Sequence, residues 1–218
     1  MPTIVIASPK GGAGKSTTAI ILGTELAQAG AAIVLIDCDP NGSLSLWADR
    51  APLPERVSVL TGVGESEIVK TIKRNDQDGR IVIVDLEGVA SRLVSRAISQ
   101  ADLVVTPMRA TTLDATVGVR ALALIEEEEE ALDRKIPHAV VFTMTKAIKS
   151  KQHTGIAESL VGQGVDLIHP PLMERAAFSA LFEFGGDLRT MPPQGNMSAA
   201  IENAREFAQA IYRRLTRE

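Results

Sequence analysis

Residues 3–17 read Thr3-Ile4-Val5-Ile6-Ala7-Ser8-Pro9-Lys10-Gly11-Gly12-Ala13-Gly14-Lys15-Ser16-Thr17. A short β-branched run passes into a glycine-rich loop, and the loop runs into a helical pattern over 16–28. That context is what a phosphate-binding loop requires. Glycines let backbone N–H groups turn inward around phosphate oxygens, and the following helix N-terminus adds positive potential. Gly11, Gly12, Ala13, Gly14 and Thr17 are the expected backbone cradle. Lys15 is expected to reach the β- and γ-phosphates, and the Ser16 hydroxyl to bind Mg²⁺.

The rest of the chain repeats the same alternation. Apolar runs over 33–36, 81–84, 103–105 and 139–142 are continuous, as expected of strands covered on both faces. Helical patterns lie between them at 65–73, 91–100, 112–132 and 152–161. A last one spans 196–216, with Asn196 as N-cap and an apolar stripe of Ile201, Ala204, Ala208, Ile211 and Leu215. The reading is an α/β, doubly wound, mostly parallel sheet flanked by helices, in one P-loop domain over 1–218. Ligand sites are expected at the carboxyl ends of the strands.

Composition bounds the function. The 218 residues are 45% hydrophobic and 23% charged, a globular profile that excludes disorder and low-complexity classes. One cysteine, Cys38, excludes an internal disulfide framework and fits a reducing compartment; it is expected to pack inward as a small apolar residue. The net charge of −4 argues against a general basic coat, though not against a local patch. Only 3% of residues are aromatic, which is poor for a single-strand reader that works by stacking, so Trp47 reads as packing. No apolar run reaches the roughly 20 residues of a membrane span, and the N-terminus lacks the basic segment of a signal peptide. The stripe at 196–216 reads as packing on the sheet, with a membrane-surface anchor as the alternative. His138, His153 and His169 are too far apart to suggest a metal site. Five consecutive glutamates at 126–130 read as a solvated surface.

Two acidic strand ends accompany the loop. In Ile36-Asp37-Cys38-Asp39-Pro40-Asn41 the two aspartates share a face, because residues two apart in extended chain do so. They are either ligands aimed at the phosphate end or turn and cap carboxylates. Ile81-Val82-Ile83-Val84-Asp85 is an apolar strand ending in a carboxylate, the pattern that holds Mg²⁺ in P-loop enzymes. Glu87, two residues on, is either a second acidic group or a solvated loop residue.

The loop form Lys-Gly-Gly-x-Gly-Lys-Ser, with Pro9 where the usual first glycine would stand and Lys10 five residues before Lys15, resembles the deviant Walker A loop of the ParA/MinD family. The match is high in specificity at 10–17 and moderate elsewhere. The resemblance implies a nucleotide-sandwich homodimer in which Lys10 crosses to the partner's ATP. Such a cation acts like an arginine finger, worth roughly 10³–10⁵ in rate. Asp39 would orient the attacking water, Asp37 would support the Mg²⁺ shell, and Ser16 and Asp85 would hold the ion. Leu86-Glu87-Gly88 departs from the Thr-Pro-Pro often found there. The 106–114 segment resembles the family's interface loop. Met144 and Pro171 fall where the family contacts adenine.

The start at strand one resembles the small ParA type without an N-terminal helix-turn-helix. That type implies an ATP-dependent, sequence-indifferent hold on double-stranded DNA, segregation or positioning of a cargo, and hydrolysis stimulated by a ParB-like adaptor. The implied location is cytoplasmic and nucleoid-associated in the ATP state. Candidate DNA contacts are Lys146, Lys149, Lys151, Arg205, Arg213, Arg214 and Arg217. The alternatives are a MinD-like membrane-cycling ATPase and a metabolic P-loop enzyme. The tail, Leu215-Thr216-Arg217-Glu218, lacks the large apolar residues the former needs. No membrane partner is expected.

Overall fold

The expected alternation builds a single seven-stranded parallel sheet. Its strands are β1 (Thr3–Ile6), β2 (Ile33–Cys38), β3 (Val57–Leu60), β4 (Ile81–Leu86), β5 (Leu103–Met108), β6 (His138–Phe142) and β7 (Leu167–Ile168). They lie in the order β3-β2-β4-β1-β5-β6-β7. The computed structural model describes residues 2–76, 79–88, 91–146 and 150–216, the side chains of 113–121 excepted. Around the sheet run α1 (Lys15–Gln28), α2 (Ser43–Ala48), α3 (Ile68–Asp76), α4 (Arg92–Ile98), α5 (Thr112–Leu132), α6 (Lys151–Gly162), α7 (Ala176–Phe184) and α8 (Met197–Leu215).

Strand period two divides the core. Ile4, Ile6, Leu35, Ile83 and Val105 face α1, α2, α7 and α8 on one side. Val5, Val34, Val84 and Val104 face α3, α4 and the Ile125 turn of α5 on the other. Both faces are covered, which explains why the strands read as unbroken apolar runs. The α8 stripe is spent on this core: Ala204, Ala208 and Ile211 are buried, and Phe207 with them. Asn196 caps the helix, its side chain accepting from Ala199 N.

Four elements escape the sequence reading. β3 is an edge strand with a half-buried Ser58-Val59-Leu60, and β7 has two residues, too few for a pattern. α2 has six residues. α7 is Ala-Ala-Phe-Ser-Ala-Leu-Phe-Glu-Phe, apolar nearly all round, so it lacks the polar side that marks an amphipathic helix. The glutamate run also departs from expectation. Glu129 is buried, and its oxygens take Lys135 Nζ at 2.6 Å and Ile136 N at 2.7 Å. The Lys135 ammonium, and then the Ile136 N–H, hold its carboxyl below the usual range. Three residues of the run, Glu126, Glu127 and Glu130, are solvated as expected.

α2 is fixed at both ends. Asp37 Oδ2 accepts from Ser45 N at 2.9 Å and Ser45 Oγ at 2.7 Å, supplying the cap that Gly42 has no side chain to give. At the far end Trp47, fully buried as the packing reading expects, donates Nε1–H to Gly186 O at 3.0 Å. The adjoining Gly185 has φ 70°, and a Cβ there would lie 2.8 Å from Ala51 N. Gly185→Ala therefore loses about 2–3 kcal/mol from strain and clash. Gly155→Ala, in α6 with open space around it, is neutral or gains up to about 1 kcal/mol. Urea titrations of the two variants check the pair; equal effects would overturn the assignment of Gly185.

Candidate functional site

β1 lies at the centre of the sheet, between β4 and β5, and delivers its loop to the strand-carboxyl edge. Gly14 precedes α1 in left-handed backbone, φ 87° and ψ 25°, with no side-chain cap on the first turn. The first N–H groups of α1 are thus left for a ligand. Lys15 is buried, 6% exposed, and Lys10 half-buried. The loop's outward carbonyls are held by side chains. Arg109 Nη2 lies 3.2 Å from Gly12 O, Thr143 Oγ1 donates to Ala13 O at 2.7 Å, and Thr18 Oγ1 donates to Gly14 O at 2.7 Å.

Strand register brings the acidic ends beside this loop. Asp85 stands opposite Ile6 on β1 and opposite Asp37 on β2. Asp37 is engaged as the α2 cap, and its Oδ1 also accepts from Asp39 N at 3.3 Å. Asp39 closes a turn, Oδ1 accepting from Asn41 N at 2.9 Å and Nδ2 at 2.8 Å. The turn-and-cap role left open for these residues is therefore real, and it sits at the same edge as the loop.

Asp85 is different. It is fully buried, and neither oxygen has a hydrogen-bond partner of good geometry. Burial above all pushes its carboxyl up to about 7; the nearby Ser16 hydroxyl and Lys15 oppose the rise, while Asp37 and Asp39 add to it. A buried carboxylate with both oxygens unspent, beside a serine hydroxyl, is an oxygen-donor set that fits a hard divalent cation. Ser16 and Asp85 offer such donors directly; Asp37 is largely occupied by Ser45. Cys38, between the two aspartates, is buried as expected, and burial, followed by Asp37, Asp85 and Glu87, pushes its thiol up to about 12. Gly88 lies over the loop: a Cβ there would be 3.4 Å from Gly11 N and 3.5 Å from Lys15 Nζ. This segment therefore packs on the phosphate loop itself.

A cavity of about 100 Å³ opens beside Gly14 and Thr17, lined by Met144, Leu172, Met173, Arg175 and Phe178. Met144 forms part of this lining, 39% exposed with φ 50°. Pro171 is not in the lining; it lies behind, its carbonyl accepting from Asn203 Nδ2 at 2.8 Å. Arg175, whose Nε is buried without a partner, carries no signal of this position in the sequence. Arg109 and Thr143 were likewise invisible as loop clamps, because 97 and 130 residues separate them from their acceptors.

The basic candidates do not gather in one place. Lys146 follows the carboxyl end of β6, and Lys151 opens α6; both are exposed. Arg205 and Arg213 line a depression of about 1170 Å³, with Pro2, Ile81 and Asp102, at the opposite, amino edge of the strands. Arg214 is committed to an ion pair with Asp166 at 2.6 and 2.7 Å. Lys149 and Arg217 lie outside the described residues. Two of the histidines are in local contacts: His138 Nδ1 lies 3.1 Å from Ile136 O, and His153 packs edge-on against Phe142.

Comparison with known proteins places this geometry. The description CobQ/CobB/MinD/ParA nucleotide binding domain matches residues 4–188. A protein named ParA from Rhizobium radiobacter is 63% identical over 99% of this chain and 98% of its own length. Among solved structures, a variant of Cyanothece McdA in complex with ATP superposes with TM-score 0.78 at 19% identity, covering 97% of this chain and 96% of its own. A plasmid partition protein of Borrelia burgdorferi bound to AMPPNP gives TM-score 0.74 at 17% identity, over 97% and 98%.

The Asp85 environment has a measurable cost. A carboxyl whose folded pKa is raised destabilises the fold little below about pH 4, increasingly between about pH 4 and 7, and fully above that. Asp85→Asn keeps the size and removes the charge. It stabilises the nucleotide-free protein at pH 8 by about 2–4 kcal/mol and changes little at pH 4. Denaturant titrations at the two pH values check this; no gain at pH 8 would show that the carboxylate is satisfied.

Proposed function

The chain belongs to the CobQ/CobB/MinD/ParA family of nucleotide-binding domains, and we propose that it works as a ParA-type partition ATPase, hydrolysing ATP to ADP and phosphate. The observation that carries this is the pair Lys10 and Lys15 on one loop, set beside the strand-end carboxylates Asp37 and Asp85. Lys15 binds the β- and γ-phosphates at the mouth of α1. Thr17 and Met144 hold the base in the small cavity. Mg²⁺, when bound by Ser16 and Asp85, neutralises phosphate charge. Asp39 orients the attacking water, and Asp37 holds the Asp39 turn in place through its grip on α2. Lys10 reaches the phosphates of a second copy, so two chains close on two nucleotides.

In the ATP state the dimer binds double-stranded DNA without regard to sequence, and a ParB-like adaptor or cargo protein stimulates hydrolysis and release. That cycle places the protein in the cytoplasm, on the nucleoid while ATP is bound. The membrane-cycling alternative loses ground because the apolar side of α8 is buried against the body of the protein.

The test is duplex binding with ATP, ADP or no nucleotide across a salt titration. Binding is expected with ATP alone and falls about 10³-fold between 50 and 200 mM salt if six phosphates are neutralised. Lys10→Ala abolishes it by blocking dimer closure; Asp39→Ala retains it and stops hydrolysis. Paired charge reversals at Lys146 and Lys151, or at Arg205 and Arg213, assign the DNA-facing edge of the sheet. Intact hydrolysis without DNA binding in any state would overturn the partition reading.

A further inference from the structure

A backbone cradle works only if its peptide planes point the right way. In a trans peptide the carbonyl of one residue and the N–H of the next lie on opposite sides of a rigid plane. Fixing Gly12 O, Ala13 O and Gly14 O therefore fixes the N–H groups of Ala13, Gly14 and Lys15. The structure holds all three carbonyls with side-chain donors from three elements: Arg109 after β5, Thr143 after β6, and Thr18 in α1.

The three clamps differ in kind. Thr18 belongs to the helix that the loop opens, and Gly14 O also accepts Thr18 N at 2.8 Å. Thr143 is buried, 3% exposed, and pinned by its own N–H to Met108 O at 2.8 Å. Arg109 is exposed. Its acceptor is the carbonyl of Gly12, at φ 72°, where no side chain restricts rotation of the peptide. Gly14 is also a glycine, but its carbonyl has the helix N–H of Thr18 as well, whereas the Gly12 plane is held by the one charged clamp.

We infer that Arg109 is a positioning residue for nucleotide binding: it keeps the Gly12 carbonyl outward, so that the Ala13 N–H stays turned toward the phosphates. The inference rests on the nucleotide-binding reading of the loop. It requires a hydrogen-bond donor at the end of a long side chain. It acts on any nucleotide whose phosphates sit in the cradle, so ADP and ATP depend on it alike. A guanidinium that touched the γ-phosphate itself would instead distinguish the two.

The experiment compares wild type with Arg109→Met, which keeps an unbranched stem without a donor, and Arg109→Lys, which keeps a cationic donor on a stem one atom shorter. Fluorescent ADP and ATP with Mg²⁺ report affinity, and amide hydrogen exchange over residues 9–16 reports the nucleotide-free loop. Arg109→Met is expected to weaken both nucleotides about three- to tenfold, to speed loop exchange, and to leave the melting temperature within about 2 °C of wild type, the usual range for an exposed site. Arg109→Lys restores both readouts. Unchanged exchange and affinity in Arg109→Met overturn the inference, as does a loss confined to ATP. Faster loop exchange in a protein that binds no nucleotide even as wild type would retain the positioning role and overturn the nucleotide reading instead.

Discussion

The pairing of β2 and β4 sets Asp37 opposite Asp85, and the pairing of β1 and β4 sets Asp85 opposite the last residue of β1. Everything at this edge follows from that register. Two carboxylates on neighbouring strands repel in a buried setting, and each must find compensation. Asp37 finds it within the protein, from the N–H and hydroxyl of Ser45. Asp85 has the Ser16 hydroxyl and Lys15 nearby, but neither buried oxygen has a hydrogen bond of good geometry, so burial still holds its carboxyl well above the usual range. A register slip of one residue would turn Asp85 into the sheet's apolar face and end the arrangement.

The fold was legible where burial on both faces wrote continuous apolar runs, and the phosphate loop was legible because its glycines, lysines and serine are contiguous. The elements that stayed hidden are those whose signal is too short, as in β7 and α2, or too uniform, as in α7. The division of labour between Asp37 and Asp85 was hidden for another reason. Both are carboxylates at strand ends, and only the placement of Ser45, eight residues on from Asp37, distinguishes them. Pro171 shows what segment-level resemblance leaves out: the small cavity beside Gly14 is lined from this stretch by Leu172, Met173 and Arg175, with Pro171 behind them.

Charge is distributed by the same logic of edges. The acidic groups and both loop lysines share the carboxyl edge, whereas Arg205 and Arg213 sit at the amino edge. Arg214 has a different task, tying the end of α8 to Asp166, which immediately precedes β7.

Trp47 is the only tryptophan in the chain, and it is sealed in the core against the Gly186 carbonyl. Its helix begins at the Asp37–Ser45 contact, a few residues beyond the Asp39 turn. The molecule thereby carries its own optical label. Any displacement of the Asp37–Asp39 segment that drags α2 changes the polarity around one indole, so the emission spectrum of the unmodified protein is a time-resolved record of that segment's motion.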